Sequence, residues 1–288
     1  MDSFFASVEV LLDPSLKGKP VIVGGAGDRG VVASCTYEAR AYGIHSAMPS
    51  ARARRLCPHA VFVHGHYDRY SEFSKRIHEV FESYTPLVEG ISLDEAFLDV
   101  AGARRLFGPA EAIAEQIRAR ITAELGLDCS VGVGPSKLIA KLASKAAKPK
   151  ASLKGPVPGP GVVVVRPGGE LAFLHPLPVS ALWGVGPATE TRLKRFGVST
   201  VGDLSKIPLE VLTRSLGNAL GRHLHDLSNG RDPRPVEPVR GVKSVGHEET
   251  YATDLVEPAE LQREALRMAD AVGGRLRAAG LAGRTVTV

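Results

Sequence analysis

The stretch Ser92-Leu93-Asp94-Glu95-Ala96-Phe97-Leu98-Asp99-Val100 sets two adjacent carboxylates inside an apolar run that reaches from Leu87 to Val100. In a regular strand, neighbouring side chains point to opposite faces, so one of the two acids would enter the core. Burying an unpaired carboxylate costs on the order of several kcal/mol. Asp94 and Glu95 are therefore expected where the strand bends, at a hairpin tip, sharing a positive partner. A divalent metal meets that need, since hard cations such as Mg²⁺ take carboxylate oxygens together with substrate phosphates. A solvated turn in a β-hairpin accounts for the same residues equally well.

The 288 residues allow two to four compact units, and 44% apolar content is ample for ordinary cores. No apolar run approaches the length of a membrane span, and the first residues do not read as a signal peptide. Cys35, Cys57 and Cys129 are odd in number and far apart, which supports neither a disulfide framework nor a zinc ribbon. A reducing cytoplasm is the expected setting, with no membrane partner. The net charge of +5 favours a polyanionic partner without requiring one. His64-Gly65-His66, a close histidine pair, reads as a surface turn.

Outward from the acidic stretch, short strands alternate with helices. The residues from Phe4 lead into a helix; Val21-Ile22-Val23 and Gly30 to Ser34 read as strands, and Thr36 to Tyr42 as a helix. Tyr70, Phe73, Ile77, Val80 and Phe81 form one helical stripe within Tyr67 to Tyr84. After the hairpin come a helix from about Pro109 to Leu125, a strand over Cys129 to Val133 and a helix over Ser136 to Ala147. That order describes an α+β sheet covered on one face. Residues 153–168 are rich in Pro and Gly and mark a boundary. Leu177 to Leu227 is helical with Gly-marked turns, and Asn229 to Arg240 is a linker. A last unit begins near Val242 as strand, then helix from about Pro258 to Ala279, then strand at Thr285.

Three segments offer chemistry. At about 100° per residue, Lys137, Lys141, Lys145 and Lys148 fall in one arc, opposite Leu138, Ile139, Leu142 and Ala146. This is either a solvated lysine face or a surface for phosphates. Gly184-Val185-Gly186-Pro187-Ala188-Thr189 lies between two helical segments and precedes Arg192. Glycines admit close backbone approach, and a helix start offers free N–H groups to anions. This is a helix-hairpin-helix pattern for a nucleic-acid backbone, or a compact turn that binds nothing. A looser copy spans Leu216 to Arg222. Tyr37 and Arg40, three apart on one helix after Ser34, could hold a triphosphate by charge-assisted hydrogen bonds, or pack together as an ordinary surface pair. Phe4-Phe5 reads in isolation as core.

Taken in order, Asp2-Ser3-Phe4-Phe5-Ala6-Ser7-Val8-Glu9, Tyr37-Glu38-Ala39-Arg40-Ala41-Tyr42-Gly43, Ser92 to Asp99, Ser130-Val131-Gly132-Val133-Gly134 through Lys148-Pro149, Leu182-Trp183-Gly184-Val185-Gly186 and Ser244-Val245-Gly246-His247-Glu248 resemble the Y-family DNA polymerases of the DNA polymerase IV (DinB) type. The resemblance implies a right-hand α+β polymerase. Its palm, an antiparallel sheet with helices, would occupy residues 1–10 and 67–155, and small fingers 11–66. A helix-hairpin-helix thumb would occupy 156–235 and part of an α/β little finger 242–288. It implies translesion, template-directed addition of dNTPs to a primer by two-Mg²⁺ phosphoryl transfer. Asp94 and Glu95 would be the catalytic, metal-binding carboxylates, and Tyr37, Arg40, Lys148 and Ser34 the nucleotide contacts. Phe5 would be the steric gate against a ribose 2′ hydroxyl. Gly184, Gly186, Lys137, Lys141 and Arg192 would bind primer–template DNA. A sliding clamp, reached through a C-terminal segment beyond this sequence, and a monomeric state complete the expectation.

Two departures stand out. The family motif Asp-x-Asp-x-Phe is met only from its x, at Met1, so its first Asp is not in the sequence, and Asp2 is not taken to replace it. A start assigned too late, or a piece of a longer chain, is the expected cause. Lys148-Pro149-Lys150-Ala151 also differs from the family, which has Asp or Asn and then Gly after the Pro. A catalytically impaired, DNA-binding relative is the alternative function. A nucleotidyl cyclase with a similar palm would leave the helix-hairpin-helix without a purpose.

Overall fold

A computed structural model describes residues 1–239 and 241–288. Helix α1 (Phe4–Leu12) opens the chain, with Phe4, Ala6, Val8 and Glu9 buried, and Ser3 ahead of it takes a left-handed φ of 51°. The next unit is built on β1 (Val21–Gly24), which pairs antiparallel with β2 (Val32–Cys35) and parallel with β3 (Val61–Val63). Thr36 starts α2 (Tyr37–Arg40), its hydroxyl accepting from the Ala39 N–H; α3 (Ser50–Leu56) follows. Ile22, Val32, Ile44, Met48 and Cys57 give this unit a core of its own.

The central unit begins with α4 (Tyr67–Glu82). The antiparallel hairpin of β4 (Val88–Gly90) and β5 (Ala96–Leu98) follows, then α5 (Arg104–Phe107) and α6 (Ala110–Leu125). Strand β6 (Val131–Val133) leads to α7 (Lys137–Ala147), and β7 (Val162–Val164) returns parallel to β6. Phe4 and Val8 of α1 share a core with Tyr70, Ile77, Ile113, Ile117 and Ile121. The start of α1 is thereby fixed against the hairpin unit.

A helical unit follows: α8 (Glu170–Leu174), a 3-10 turn over Val179–Ala181, α9 (Pro187–Lys194), α10 (Val201–Ser205), α11 (Leu209–Leu216) and α12 (Asn218–Ser228). Its core (Leu174, Leu193, Leu204, Leu224) takes in Leu138, Ile139 and Leu142 of α7. Helix α7 thus serves two units at once. The chain ends with α13 (Pro258–Ala278). Among the described residues no helix is long and apolar enough to cross a membrane.

Three expectations need correction. The central sheet is not a single antiparallel one: β4–β5 is antiparallel, whereas β6–β7 is parallel. The Pro/Gly-rich stretch is more than a boundary, because Val162 to Val164 inside it form β7. Flanking Gly and Pro mask a run of β-branched residues that has strong strand preference. No strand forms near Val242 or Thr285 among the described residues; Val242, Val286 and Val288 are exposed, and an unpaired segment has no ladder to join.

Candidate active site

Asp94 and Glu95 lie in the turn between β4 and β5, as the clash between strand alternation and burial requires. The turn is tied by Ile91 N–H donating to the Glu95 carbonyl at 2.8 Å, and Ser92 Oγ donates to Asp94 Oδ1 at 2.9 Å. The Asp94 carbonyl accepts from the Met1 nitrogen at 2.8 Å, which brings the segment before α1 against the hairpin tip. Glu95 finds its positive partner in Lys141, whose Nζ donates to Oε2 at 2.7 Å.

Opposite the tip, Asp2 is 6% exposed and held on several sides. Its N–H donates to the Asp128 carbonyl at 3.0 Å, Ser130 Oγ donates to its Oδ2 at 2.7 Å, and its carbonyl accepts from Ser7 Oγ at 2.8 Å. Lys148, the residue that ends α7, donates through Nζ to the Met1 carbonyl at 2.9 Å and stands 3.4 Å from Asp2 Oδ1. That contact is an ion pair and not a hydrogen bond, so Oδ1 is buried without one. Tyr37 faces the same carboxylate. Burial, reinforced by the Asp2 charge and opposed by Arg40, pushes its phenol up to about 12, so it remains a donor at neutral pH. The Arg40 guanidinium lies over the Tyr37 ring, 4.8 Å from its centroid, and Nε donates to the Cys35 carbonyl. Ser34 is buried on β2, paired with Val23.

The buried atoms Tyr37 Oη, Ser3 Oγ and Asp2 Oδ1 all lack a hydrogen-bond partner. Buried polar atoms are ordinarily satisfied, so these three, with Asp2 Oδ1 beside Lys148, fit a polar, multiply charged ligand. Among the described residues, no three His, Cys, Asp or Glu side chains gather as a metal cluster. Two adjacent carboxylates nevertheless suit Mg²⁺, which is usually held by one or two carboxylates with substrate phosphates and water.

The lysine arc is not a free basic face. Lys137 is 7% exposed, its Nζ donating to Glu89 Oε2 at 2.5 Å and lying 5.4 Å from the Phe97 ring centroid, so it is withdrawn from any DNA surface. Lys141 and Lys148 serve Glu95 and the Asp2 segment, and only Lys145 points outward. Helical spacing located the arc correctly, but a lysine face reads as solvated unless the acids that approach it are known.

Gly184 takes a φ of +92°, and Gly186 is the N-cap of α9, with Pro187 in its first turn. Arg192 is exposed on α9. A second glycine-led turn at Gly217 (φ +88°) joins α11 to α12. The contacts of Trp183, just before the first turn, are not legible in its motif. Its ring lies 5.4 Å from Lys141 Nζ and 5.0 Å from the Arg234 guanidinium carbon, with Phe97 edge-on at 6.0 Å. Asp232 of the linker also went unread: it accepts from Leu138 N–H at 2.9 Å and so caps α7. Burial opposes its charge, but Arg234 and that N–H prevail and hold its carboxyl below the usual range.

A carboxylate-bearing hairpin, a small strand-helix unit carrying Tyr37 and Arg40, and a helical unit with glycine turns together define a palm, fingers and thumb, the architecture of a nucleic-acid polymerase. Residues 1–145 match the impB/mucB/samB family, 180–232 the DNA polymerase-iota thumb domain and 242–288 the impB/mucB/samB family C-terminal domain. The chain belongs to the Y-family DNA polymerases of the DNA polymerase IV (DinB) type. It is 47% identical to DNA polymerase IV 2 of Mesorhizobium japonicum over 288 residues, the whole of this chain and 66% of that one. Against DNA polymerase IV of Streptomyces coelicolor it is 45% identical, again over its whole length, but spans only 58% of the relative. DinB from Sulfolobus solfataricus superimposes with a TM-score of 0.71 at 32% identity, covering 82% of this chain and 67% of that one. An insertion ternary complex of Dbh DNA polymerase gives 0.72 at 31%, with the same coverage.

Proposed function

We propose that this chain carries the template-directed DNA polymerase activity of its family, adding dNTPs to a primer 3′ end on templates that include damaged ones. The observation that carries the reading is the meeting of two segments. Asp94 and Glu95 stand at the hairpin tip, which the Met1 nitrogen reaches, and the next residue, Asp2, is buried with Oδ1 unsatisfied beside Lys148. Asp94 and Glu95 would hold Mg²⁺, which when bound activates the attacking hydroxyl and neutralises the departing pyrophosphate. Lys148, Tyr37 and Arg40, with Ser34 beneath them, orient the triphosphate. Lys141 holds Glu95 in place until substrate arrives, and Phe5 guards the sugar.

In this reading the palm comprises residues 1–10, 67–155 and β7, the fingers 11–66, the thumb 156–235 and the little finger 242–288. Gly184, Gly186 and Arg192 grip primer–template backbone, with clamp contact through a further C-terminal segment, in the cytoplasm, as a monomer. Primer extension with Mg²⁺ tests it: Asp94→Ala and Glu95→Ala should each abolish extension while leaving DNA binding intact. Full extension by either variant refutes the assignment. The alternative reading is a DNA-binding relative without catalysis. That reading predicts tight primer–template binding and no extension by the unaltered chain.

A further inference from the structure

We propose that Glu9 is a positioning residue for the Phe5 ring and thereby sets discrimination against ribonucleotides, an inference that rests on the reading of Phe5 as the sugar gate. Phe5 and Glu9 are four apart on α1 and share a face. The half-buried Phe5 ring stacks on Tyr70 with centroids 4.3 Å apart and planes 11° from parallel, and Tyr67 meets its edge at 5.9 Å. Tyr70 is fully buried, and its hydroxyl donates to Glu9 Oε1. The same carboxylate, 2% exposed, accepts from the His66 N–H at 3.2 Å and lies 2.9 Å from His66 Nδ1. It thus ties α1 to the first turn of α4.

Nothing in packing alone calls for an acid here. Burying a carboxylate is costly and is sustained only by full hydrogen bonding, which Tyr70 and His66 supply. Stacked rings slide over one another easily, so the stack by itself leaves the plane and reach of Phe5 loosely set. A hydrogen bond at the far end of the Tyr70 ring removes that freedom. Gly65 closes the arrangement: a Cβ there would stand 3.1 Å from the Tyr67 ring and 3.2 Å from the Tyr70 hydroxyl. His64-Gly65-His66 is therefore more than a surface turn, since its middle residue lets the tyrosines approach and its last residue anchors Glu9.

The test is single-nucleotide incorporation by the full chain on primer–template, with dNTP and the matching rNTP, for Glu9→Ala, Glu9→Gln, Tyr70→Phe and Phe5→Ala, alongside thermal melts. Glu9→Ala should lower the dNTP/rNTP preference by about tenfold, mainly through a lower KM for the ribonucleotide. Tyr70→Phe, which keeps the ring but loses the hydroxyl, should move it in the same direction. Glu9→Gln retains an acceptor for Tyr70 and should restore the parent preference. If Phe5→Ala leaves the preference unchanged, the gate reading itself falls. If Phe5→Ala abolishes it while Tyr70→Phe and a folded Glu9→Ala keep the parent ratio, the positioning role is overturned. A Glu9→Ala that slows both nucleotides equally is overturning too, because it marks a purely structural residue. Should Glu9→Ala fail to fold, Tyr70→Phe decides alone.

Discussion

Substituting Gly132 by Ala should damage both the stability and the nucleotide site, through one displaced helix. Gly132 is the middle residue of β6 and packs directly under α7. A Cβ at this position would overlap the Ala140 carbonyl oxygen and the Ser144 amide nitrogen, and would stand 2.8 Å from the Ala143 carbonyl carbon. Carbon atoms pack at about 3.5–4.0 Å, so a gap of roughly 1 Å has to open. The obstructing atoms are helix backbone, which cannot rotate aside, so the cost belongs near the top of the overpacking range, about 3 kcal/mol. For a chain of this size that lowers Tm by roughly 6–12 °C. The same shift moves the end of α7, where Lys148 reaches the Met1 carbonyl at 2.9 Å. If Lys148 positions the triphosphate as proposed, misplacement by about 1 Å can cost on the order of a hundredfold in rate, and the KM for dNTP should rise as well. Thermal melting followed by circular dichroism, with single-nucleotide kinetics, measures both effects. Gly102→Ala, in a turn where an added Cβ meets nothing, is the control. A Gly132→Ala protein that melts within about 2 °C of the parent and binds dNTP normally would refute the close approach of α7 to β6.

Tyr37→Phe should weaken dNTP binding and also flatten the alkaline limb of stability. The folded phenol titrates near 12, above its ordinary value of 10, so between those values the unfolded chain has lost a proton that the folded chain keeps. Stability is then fully present below pH 10 and declines as pH rises toward 12. Urea melts across that window should show a shallower decline for the Phe variant; identical slopes would place the hydroxyl in solvent. Primer–template affinity should fall linearly with the logarithm of salt concentration, and Arg192→Ala should reduce the slope by about one charge. An unchanged slope would remove Arg192 from the DNA interface.

The parts of the fold legible in sequence were those fixed by local rules. The α4 and α7 stripes, the acidic turn and the glycine-led thumb turn all follow from periodicity or from the cost of burying charge. What remained hidden depends on partners distant in sequence. The lysines of α7 read as one basic face because Glu89 and Glu95, which meet Lys137 and Lys141, lie more than forty residues away. Strand β7 hides among prolines and glycines because its preference is realised only beside β6. Glu9 carried a visible signal, a single acid on the buried face of an otherwise apolar helix. Its meaning required Tyr70, which is brought to it only by the packing of α4.

Trp183 is the only tryptophan in the chain, and it stands where thumb, palm and linker converge, between Lys141 and Arg234. Tryptophan emission from this protein, excited beyond the absorption of its six tyrosines, consequently originates at a single address, one residue from the Gly184 turn and one side chain from Glu95. The unlabelled molecule carries its own optical gauge of the junction between the helical unit and the hairpin, read beside the cation that pairs with Glu95.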